Sequence, residues 1–467
     1  MVSSNGLKSK TLQARISPLA ALLMMALAVA ACGEMEVQSP EKVTAASGHP
    51  KPELSQTLIP QLTDANASPK VNATPALAVD SSPTATPTPF RPGPTPTPDA
   101  LTQLKLSVTW EDAEMELRYV GWKTDITRYA VPYSEIKRGG PPRDGIPPID
   151  EPVFESVSEA SSYINDHEPV LSVELGGETR AYPLAVLIWH EIVNDELGGA
   201  PITVTYCPLC NSAIVFDRRV GDDKRVLDFG TTGYLRHSDM VMWDRQTESW
   251  WQQITGEGIV GEYTGTRLDF LPAALISWRD FRDSFPNGSV LSRDTGYPRD
   301  YNRPPYAGYD SKEGRPFMFR GKLDDRLPPV ERVVGLNIGD TAVAYPFTLF
   351  ESMPAVNDSV ADTDIVIFYA PDTLSAFLGE FASDSPAVGS TGVYNPNLDG
   401  RRLTFEAKGG SIVDEQTGSE WNIFGKATSG PLEGSVLSPF IHANHFWFAW
   451  RVFYPDTAVK RLGEFVN

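Results

Sequence analysis

The sequence Leu171-Ser-Val-Glu-Leu-Gly-Gly-Glu-Thr-Arg-Ala-Tyr182 has the pattern of a β-hairpin. Apolar and polar residues alternate from Leu171 to Leu175, and Gly176-Gly177 supplies a turn before the chain returns. The segment from Pro183 to Val193 then has apolar residues at helical spacing, with proline near the first turn, where a helix tolerates it. A β-branched strand from Ile202 to Tyr206 follows. These elements predict a β-rich α+β fold of mostly antiparallel strands with a few short helices.

The same ordered motifs occur twice in the chain. The second occurrence of the first three motifs lies 163 residues after the first, and a fourth motif recurs at an offset of 170. Such self-similarity indicates an internal duplication, with related halves at about residues 165–270 and 328–440. The pairs are Tyr182-Pro and Tyr345-Pro, Val193-Asn-Asp and Val356-Asn-Asp, the strands that end at Tyr206 and Tyr369, and Asp244-Arg-Gln-Thr and Asp414-Glu-Gln-Thr.

The two copies serve as controls for each other. Residues present in both copies are expected to serve the shared fold, whereas residues present in one copy are free to serve a site. The second copy has Met353 in place of His190, Ala370 in place of Cys207 and Thr373 in place of Cys210. We therefore expect one active half and one structural half.

The N-terminus has the features of an export signal. A cationic start is followed by an apolar run from Leu19 to Ala31 and by small residues before Cys32. Val29-Ala-Ala-Cys32 resembles a bacterial lipobox, which implies a signal peptide at residues 1–31 and acylation of Cys32; the alternative is an ordinary signal peptide with an incidental cysteine. Since the apolar run is too short to span a bilayer, we expect an extracytoplasmic protein anchored to the cell membrane by lipid.

The composition of the mature chain indicates a linker followed by a folded region. Residues 32–100 comprise the lipidated cysteine and a stretch rich in Pro and Thr, which lacks the apolar surface needed to offset its ordering entropy and is expected to be a disordered linker. Residues 101–467 are expected to fold. A formal charge of −20 without clustered Lys and Arg argues against nucleic acid as a partner. The remaining partner expected from the sequence is the membrane.

Several motifs together resemble one known family. The resemblance is to the domain of unknown function 3179 family, over most of residues 165–455, and it implies kinship with many exported bacterial and archaeal proteins without an established activity. The motifs are Tyr182-Pro-Leu, His190-Glu-Ile-Val-Asn-Asp195, Tyr206-Cys-Pro-Leu-Cys-Asn-Ser212, Ser238-Asp-Met-Val-Met242 with Asp244-Arg-Gln-Thr, and Ser292-Arg-Asp-Thr-Gly-Tyr297.

The pair Cys207 and Cys210 is the main candidate for chemistry. Once Cys32 carries lipid, these are the two cysteines that remain, in a Cys-Pro-Leu-Cys motif that can place two thiolates on one metal ion. His190 and His237 are candidates to complete a site for zinc or copper, and Glu191 is a candidate general base.

Three alternatives to a metal site remain. The two cysteines can form a redox pair in which Cys207 attacks and Cys210 resolves, with His190 lowering the thiol pKa. They can also be a structural disulfide or a buried thiol pair. In a third alternative, an aromatic cleft near Trp243, Trp250 and Trp251 binds a ligand without catalysis.

Two further segments carry weaker signals. His442-Ala-Asn-His445 has a spacing that suits metal binding on a helix turn, but the aromatic run that follows favours a buried strand edge. Residues 271–327, between the copies, are dense in Pro, Tyr, Arg and Asp, and we expect ordered loops there that cover a cleft.

Overall fold

A computed structural model describes residues 110–311, 315–377 and 385–465 of the chain. The chain divides into two units, residues 1–81 and 82–467, and all described residues belong to the second unit. The predicted signal peptide, the predicted lipidation site Cys32 and the predicted linker therefore lie outside the described residues. Within the described ranges, no helix is long and apolar enough to cross a membrane.

The helices of the described region are short, and the longest has ten residues. They are α1 (Trp110–Tyr119), α2 (Val157–Ala160), α3 (Leu184–His190), α4 (Trp278–Ser284), α5 (Phe347–Phe350) and α6 (Trp447–Phe453), together with 3-10 turns at Tyr133–Glu135 and Pro208–Cys210.

Strands dominate both halves. Those before residue 300 are β1 (Ile136–Arg138), β2 (Phe154–Ser156), β3 (Pro169–Leu175), β4 (Glu178–Pro183), β5 (Ile192–Leu197), β6 (Ala200–Cys207), β7 (Ser212–Asp217), β8 (Arg219–Val220), β9 (Arg225–Val226), β10 (Phe229–Arg236), β11 (Asp239–Asp244), β12 (Trp250–Gln252), β13 (Glu257–Val260), β14 (Phe270–Leu271), β15 (Ala274–Ser277) and β16 (Ser289–Leu291). Those after residue 300 are β17 (Arg332–Ile338), β18 (Thr341–Pro346), β19 (Ala355–Val360), β20 (Thr363–Ala370), β21 (Ser390–Tyr394), β22 (Asn397–Leu398), β23 (Arg401–Arg402), β24 (Phe405–Lys408), β25 (Ser411–Asp414), β26 (Glu420–Trp421), β27 (Ala427–Ser429), β28 (His442–Phe446) and β29 (Ala458–Val459).

The predicted hairpin is β3–β4. Leu175 pairs with Glu178 across a turn in which Gly176 and Gly177 have φ of 59° and 84°, values that favour glycine. The following helix α3 is shorter than the predicted 183–193 segment, because Glu191 turns the chain at φ 60° and Ile192 already starts β5. Most strand pairs are antiparallel, so the predicted β-rich α+β class is confirmed.

Two sheets share one strand arrangement. Their orders are β15-β3-β4-β16 and β28-β17-β18-β29. In each sheet a central hairpin has an antiparallel strand on one side and a parallel strand, β16 or β29, on the other. Each half also has a meander, β10–β13 or β24–β27, with a register shift at a tryptophan of its third strand.

The recurrent sequence motifs make equivalent hydrogen bonds in the two halves. The hydroxyl of Tyr182 donates to Asp195 Oδ2 at 2.5 Å, and that of Tyr345 donates to Asp358 Oδ2 at 2.8 Å. The indole of Trp251 donates to Asp244 Oδ2 at 2.9 Å. In the second half Trp421 donates to Asp414 at 3.0 Å. These residues hold turns and strands together, which is a scaffold role.

Replacing either of these buried turn carboxylates is expected to have the same effect. Asp244 also accepts from the amide of Thr247, as Asp414 does from Thr417, so Asp244→Ala and Asp414→Ala each leave buried donors without an acceptor. We expect each to lower the free energy of unfolding by about 2–4 kcal/mol in urea titrations. The exposed Asp222→Ala control should change it by less than about 0.5 kcal/mol. A large loss in one half and none in the other would contradict equivalent roles.

A buried cluster of thiols and carboxyl groups

The two cysteines lie in the connection between β6 and β7. Cys207 ends β6, and Pro208 begins the 3-10 turn that ends at Cys210. Asn211, at φ 49°, then returns the chain so that Ser212 pairs with Cys207. Both cysteines are buried free thiols. The Cys-Pro-Leu-Cys sequence therefore folds as a tight turn that places both sulfur atoms in the protein interior.

The third member of the cluster is Asp239, the first residue of β11. Its carboxylate and the two sulfur atoms lie within 4.8 Å of one another, and among the described residues this is the group with metal-ligand geometry. Asp239 follows the turn His237-Ser238, where φ is 53° and 71°. The tip of the β10–β11 hairpin thus places the carboxylate of Asp239 next to the two thiols.

The two oxygens of Asp239 have different surroundings. Oδ2 accepts from the side-chain amide of Gln252 at 2.6 Å and from the backbone amide of Ile254 at 3.0 Å. Oδ1 is buried and has no hydrogen-bond partner within the described part of the chain. The Cys207 thiol donates to the carbonyl oxygen of Ser238 at 3.8 Å. One carboxylate oxygen is therefore fixed by the protein, and the other is available to a ligand.

Glu191 adds a second buried carboxyl group next to this cluster. It occupies the left-handed position after α3, and the hydroxyl of Tyr306 donates to its Oε1 at 3.4 Å. Burial raises the pKa of Glu191 to about 8, and the charge of Asp239 adds to this effect. Burial likewise raises the pKa of Asp239 to about 6.

Burial also dominates the two thiols. It raises the pKa of Cys207, with further contributions from the charges of Asp239 and Glu191. The pKa of Cys210 is raised well above its ordinary value by burial and by the neighbouring Cys207 and Asp239. The charges that contribute most to these raised pKa values are therefore those of the neighbouring acids in the same group. Buried acids this close together either keep their protons or bind a cation.

His190 and His237 do not join the three-residue cluster in this geometry. The ring nitrogens of the buried His190 lie 2.7 Å from the carbonyl oxygen of Pro147 and 2.8 Å from the hydroxyl of Tyr301. His237 lies with its Nε2 3.2 Å from Glu135 Oε2. The third residue of the cluster is therefore Asp239, whereas the sequence had suggested a histidine. Ligand roles for the two histidines remain predictions.

The other candidate residues, the histidines near the C-terminus and the tryptophans of the first half, pack within the fold and are buried or partly buried. His442 and His445 lie on strand β28, as the aromatic run had indicated, and His445 stacks on Trp450 with ring centroids 5.2 Å apart. The tryptophans proposed to line a cleft are instead buried in the core: Trp243 is 7% exposed and Trp250 and Trp251 are fully buried. These rings pack against other aromatic side chains and do not line an open groove.

Sequence reasoning missed Asp239 as a member of the cluster, although its motif Ser238-Asp-Met-Val-Met242 was recognised. The structure shows that the hairpin that carries Asp239 is longer than its counterpart. In the first half Phe229 pairs with Asp244, whereas Phe405 pairs with Asp414 in the second. The extra residues of the first hairpin form its tip, with the turn and Asp239. The second half therefore lacks the thiols and also the strand extension that completes the cluster.

The segment between the halves covers the cluster. Its first part differs from the predicted loops, since it contains β15, α4 and β16. Farther on, Tyr306 contacts Glu191, and the hydroxyl of Tyr309 donates to the carbonyl oxygen of Leu209 at 3.1 Å. Ser238 donates to the carbonyl oxygen of Phe317. This segment separates the thiols from solvent.

Comparison with known proteins agrees with the sequence motifs. A family model described as "Protein of unknown function (DUF3179)" matches residues 143–457. No curated protein and no solved structure matches the chain. The matched residues include the whole cluster of thiols and carboxyl groups. The chain therefore belongs to the DUF3179 family.

Proposed function

We propose that this protein is a membrane-anchored, extracytoplasmic lipoprotein that binds one zinc or copper ion through Cys207, Cys210 and Asp239. The observation that carries the proposal is the convergence of three buried ligand atoms within 4.8 Å of one another. Thiolates suit both metals, and an oxygen ligand suits zinc.

The dimensions of the cluster fit such an ion. Bonds of about 2.0–2.3 Å in a tetrahedral site place ligand atoms about 3.5–4 Å apart, so only a small contraction of the cluster is required. The free Oδ1 of Asp239 supplies an oxygen that already lacks a hydrogen-bond partner. Gln252 and Ile254 hold the carboxylate in place through Oδ2, as partners of metal ligands commonly do.

Glu191 has the properties of a proton acceptor beside the metal. Its pKa is about 8 in the metal-free protein, and a neighbouring cation would lower this pKa, so that the carboxylate would be ionised and able to accept a proton near neutral pH. Three protein ligands would leave a fourth coordination position for water or a substrate, and this arrangement is typical of catalytic zinc sites. We propose a hydrolytic reaction in which Glu191 would accept a proton from a water molecule at that position.

We also infer that the two halves arose by duplication and that the second half has a scaffold role. The shared sheet order and the equivalent bonds of Tyr182 and Tyr345 support this inference. Ala370 and Thr373, at the positions of the two cysteines, cannot supply thiolates. Metal binding is therefore assigned to the first half.

Metal content tests the proposed site directly. The full chain, purified without chelator, is expected to contain about one equivalent of zinc or copper by elemental analysis. Cys207→Ala combined with Cys210→Ser should lose the metal. Asp239→Asn should weaken binding by more than about 100-fold, because loss of a direct ligand exceeds loss of a residue that only orients one. The exposed Asp222→Asn variant is the control and should retain the metal.

A second candidate function is thiol–disulfide exchange, which the two free thiols beside a titratable carboxyl group favour. Cys207 would attack a substrate disulfide and Cys210 would resolve the mixed disulfide. The substrate leaves as two thiols and the protein keeps one disulfide, so two electrons and two protons pass to the substrate. A protein that contains no metal, but whose cysteines form a disulfide reversibly with oxidised glutathione, would replace the metal proposal with this one.

A further inference from the structure

A cavity of about 270 Å³ lies next to the β10–β11 turn, the turn that precedes Asp239. His237 and Ser238 of this turn line the cavity, and Asp239 is the next residue. The carbonyl oxygen of Ser238 is 3.8 Å from the sulfur of Cys207. One residue of backbone thus separates the cavity from the thiols.

The charges of the cavity are unusual for this protein. Lys137 and Arg320 line it, and neither side chain has an ion-pair or hydrogen-bond partner in the part of the chain that the structure describes. The acid of the lining, Glu135, is neutralised by its ion pair with Arg236 at 2.8 Å, and His237 lies 3.2 Å from it. The cavity is therefore positive, although the whole chain has a formal charge of −20.

The backbone around the cavity is strained. His237, Ser238 and Met318 have φ of 53°, 71° and 56°, a region that residues with side chains rarely adopt. The corresponding turn of the second half consists of Gly409 and Gly410, which adopt φ of 63° and 92° without that penalty. The two-residue turn of the β10–β11 hairpin requires positive φ at both positions. The first half therefore has the side chains of His237 and Ser238 at a turn where glycine suits the backbone better, and both residues line the cavity.

We propose that this cavity binds a small organic carboxylate, whose anionic group is held by Lys137 and Arg320. A guanidinium group can bind a carboxylate through two parallel hydrogen bonds, and the ammonium group adds a point charge. Leu235 and Met318 supply apolar walls for the carbon skeleton of the ligand. This inference goes beyond the proposed function, since carboxylate binding in the cavity does not require a metal in the cluster.

Binding of glutarate, compared with its neutral analogue glutaramide, tests the proposal. We expect calorimetry on the full, metal-free chain to detect glutarate and not glutaramide. The double variant Lys137→Met, Arg320→Gln should weaken glutarate binding at least about tenfold, because two charge-assisted contacts are lost. The control Lys408→Met, Arg401→Gln removes the same charges from exposed positions outside the cavity lining and should bind glutarate as the wild type does.

Several results would overturn the proposal. These are no glutarate binding at millimolar concentration, equal binding of glutaramide, tighter binding of inorganic phosphate, or equal loss of affinity in both double variants. Urea midpoints equal to that of the wild type show that each variant is folded. The Cys207→Ala, Cys210→Ser variant separates the two proposals: it should lose metal and still bind glutarate, so that failure of the metal site leaves the glutarate result intact.

Discussion

Ionisation of Glu191 is expected to remove about 1.6 kcal/mol of stability from the metal-free chain between pH 6.5 and pH 8, and Glu191→Gln should lack this contribution. Burial raises the pKa of Glu191 from its ordinary 4.5 to about 8. The folded protein thus holds this proton more tightly than the unfolded chain does. The stabilisation by this proton is complete below pH 4.5 and is lost as the pH rises through 8, by at most about 1.4 kcal/mol for each pH unit.

The comparison with Glu191→Gln isolates this contribution from those of the other buried groups of the described region. Asp239, with a pKa of about 6, has lost most of its proton by pH 6.5. The pKa values of His190, His442 and His445 are lowered by burial, so these residues act in the opposite direction: they destabilise the fold as the pH falls through the ordinary histidine value of 6.5, and they do so equally in both proteins. The two thiols have raised pKa values and titrate above the window.

Urea unfolding of the chelator-treated chain at the two pH values measures this loss. The exposed Glu151→Gln control should keep the pH dependence of the wild type. Zinc should abolish the loss, because a bound cation stabilises the ionised acids around it. An equally steep pH dependence in Glu191→Gln would assign the effect to other groups and would remove the main electrostatic argument for a cation site.

The sequence predicted those parts of the fold that depend on local patterns. The alternation of apolar and polar residues from Leu171 to Leu175, followed by two glycines, was sufficient to predict the β3–β4 hairpin. The helix after Pro183 was also predicted, but its end was placed too late. Helical spacing continues through Val193, whereas the left-handed turn at Glu191 and the pairing of β5 with β6 end the helix at His190. Tertiary pairing there overrides a local pattern.

The site was predicted only in part, for a similar reason. Cys207 and Cys210 are three residues apart, so their proximity follows from the sequence. Asp239 reaches them through the length and register of the β10–β11 hairpin, which no local spacing reveals. His190 is adjacent to Glu191 in sequence, yet its ring is directed to Tyr301 while Glu191 contacts Tyr306. The two side chains point in different directions because the backbone turns at Glu191, which has a left-handed conformation.

The cover of the cluster depends on one buried ion pair. Asp310, in the segment between the halves, pairs with Arg332 of β17, and Ser375 donates to the same carboxylate oxygen at 2.6 Å. The side chain of Asp310 is fully buried and that of Arg332 is 13% exposed. The neighbouring Tyr309 bonds to Leu209, next to Cys210. The ion pair therefore fixes the segment that keeps solvent from the thiols.

Asp310→Ala is accordingly expected to lower the free energy of unfolding by about 3–5 kcal/mol, because it leaves the buried guanidinium of Arg332 without a counter-charge. The thiols should also react faster with a disulfide reagent. Asp300→Ala, which breaks an exposed pair with Arg303 in the same segment, should change stability by less than about 1 kcal/mol and leave thiol reactivity unchanged. Asp310→Leu with Arg332→Leu should lose less stability than Asp310→Ala, since no charge remains buried. A stable Asp310→Ala variant with protected thiols would show that the aromatic contacts alone hold the cover in place.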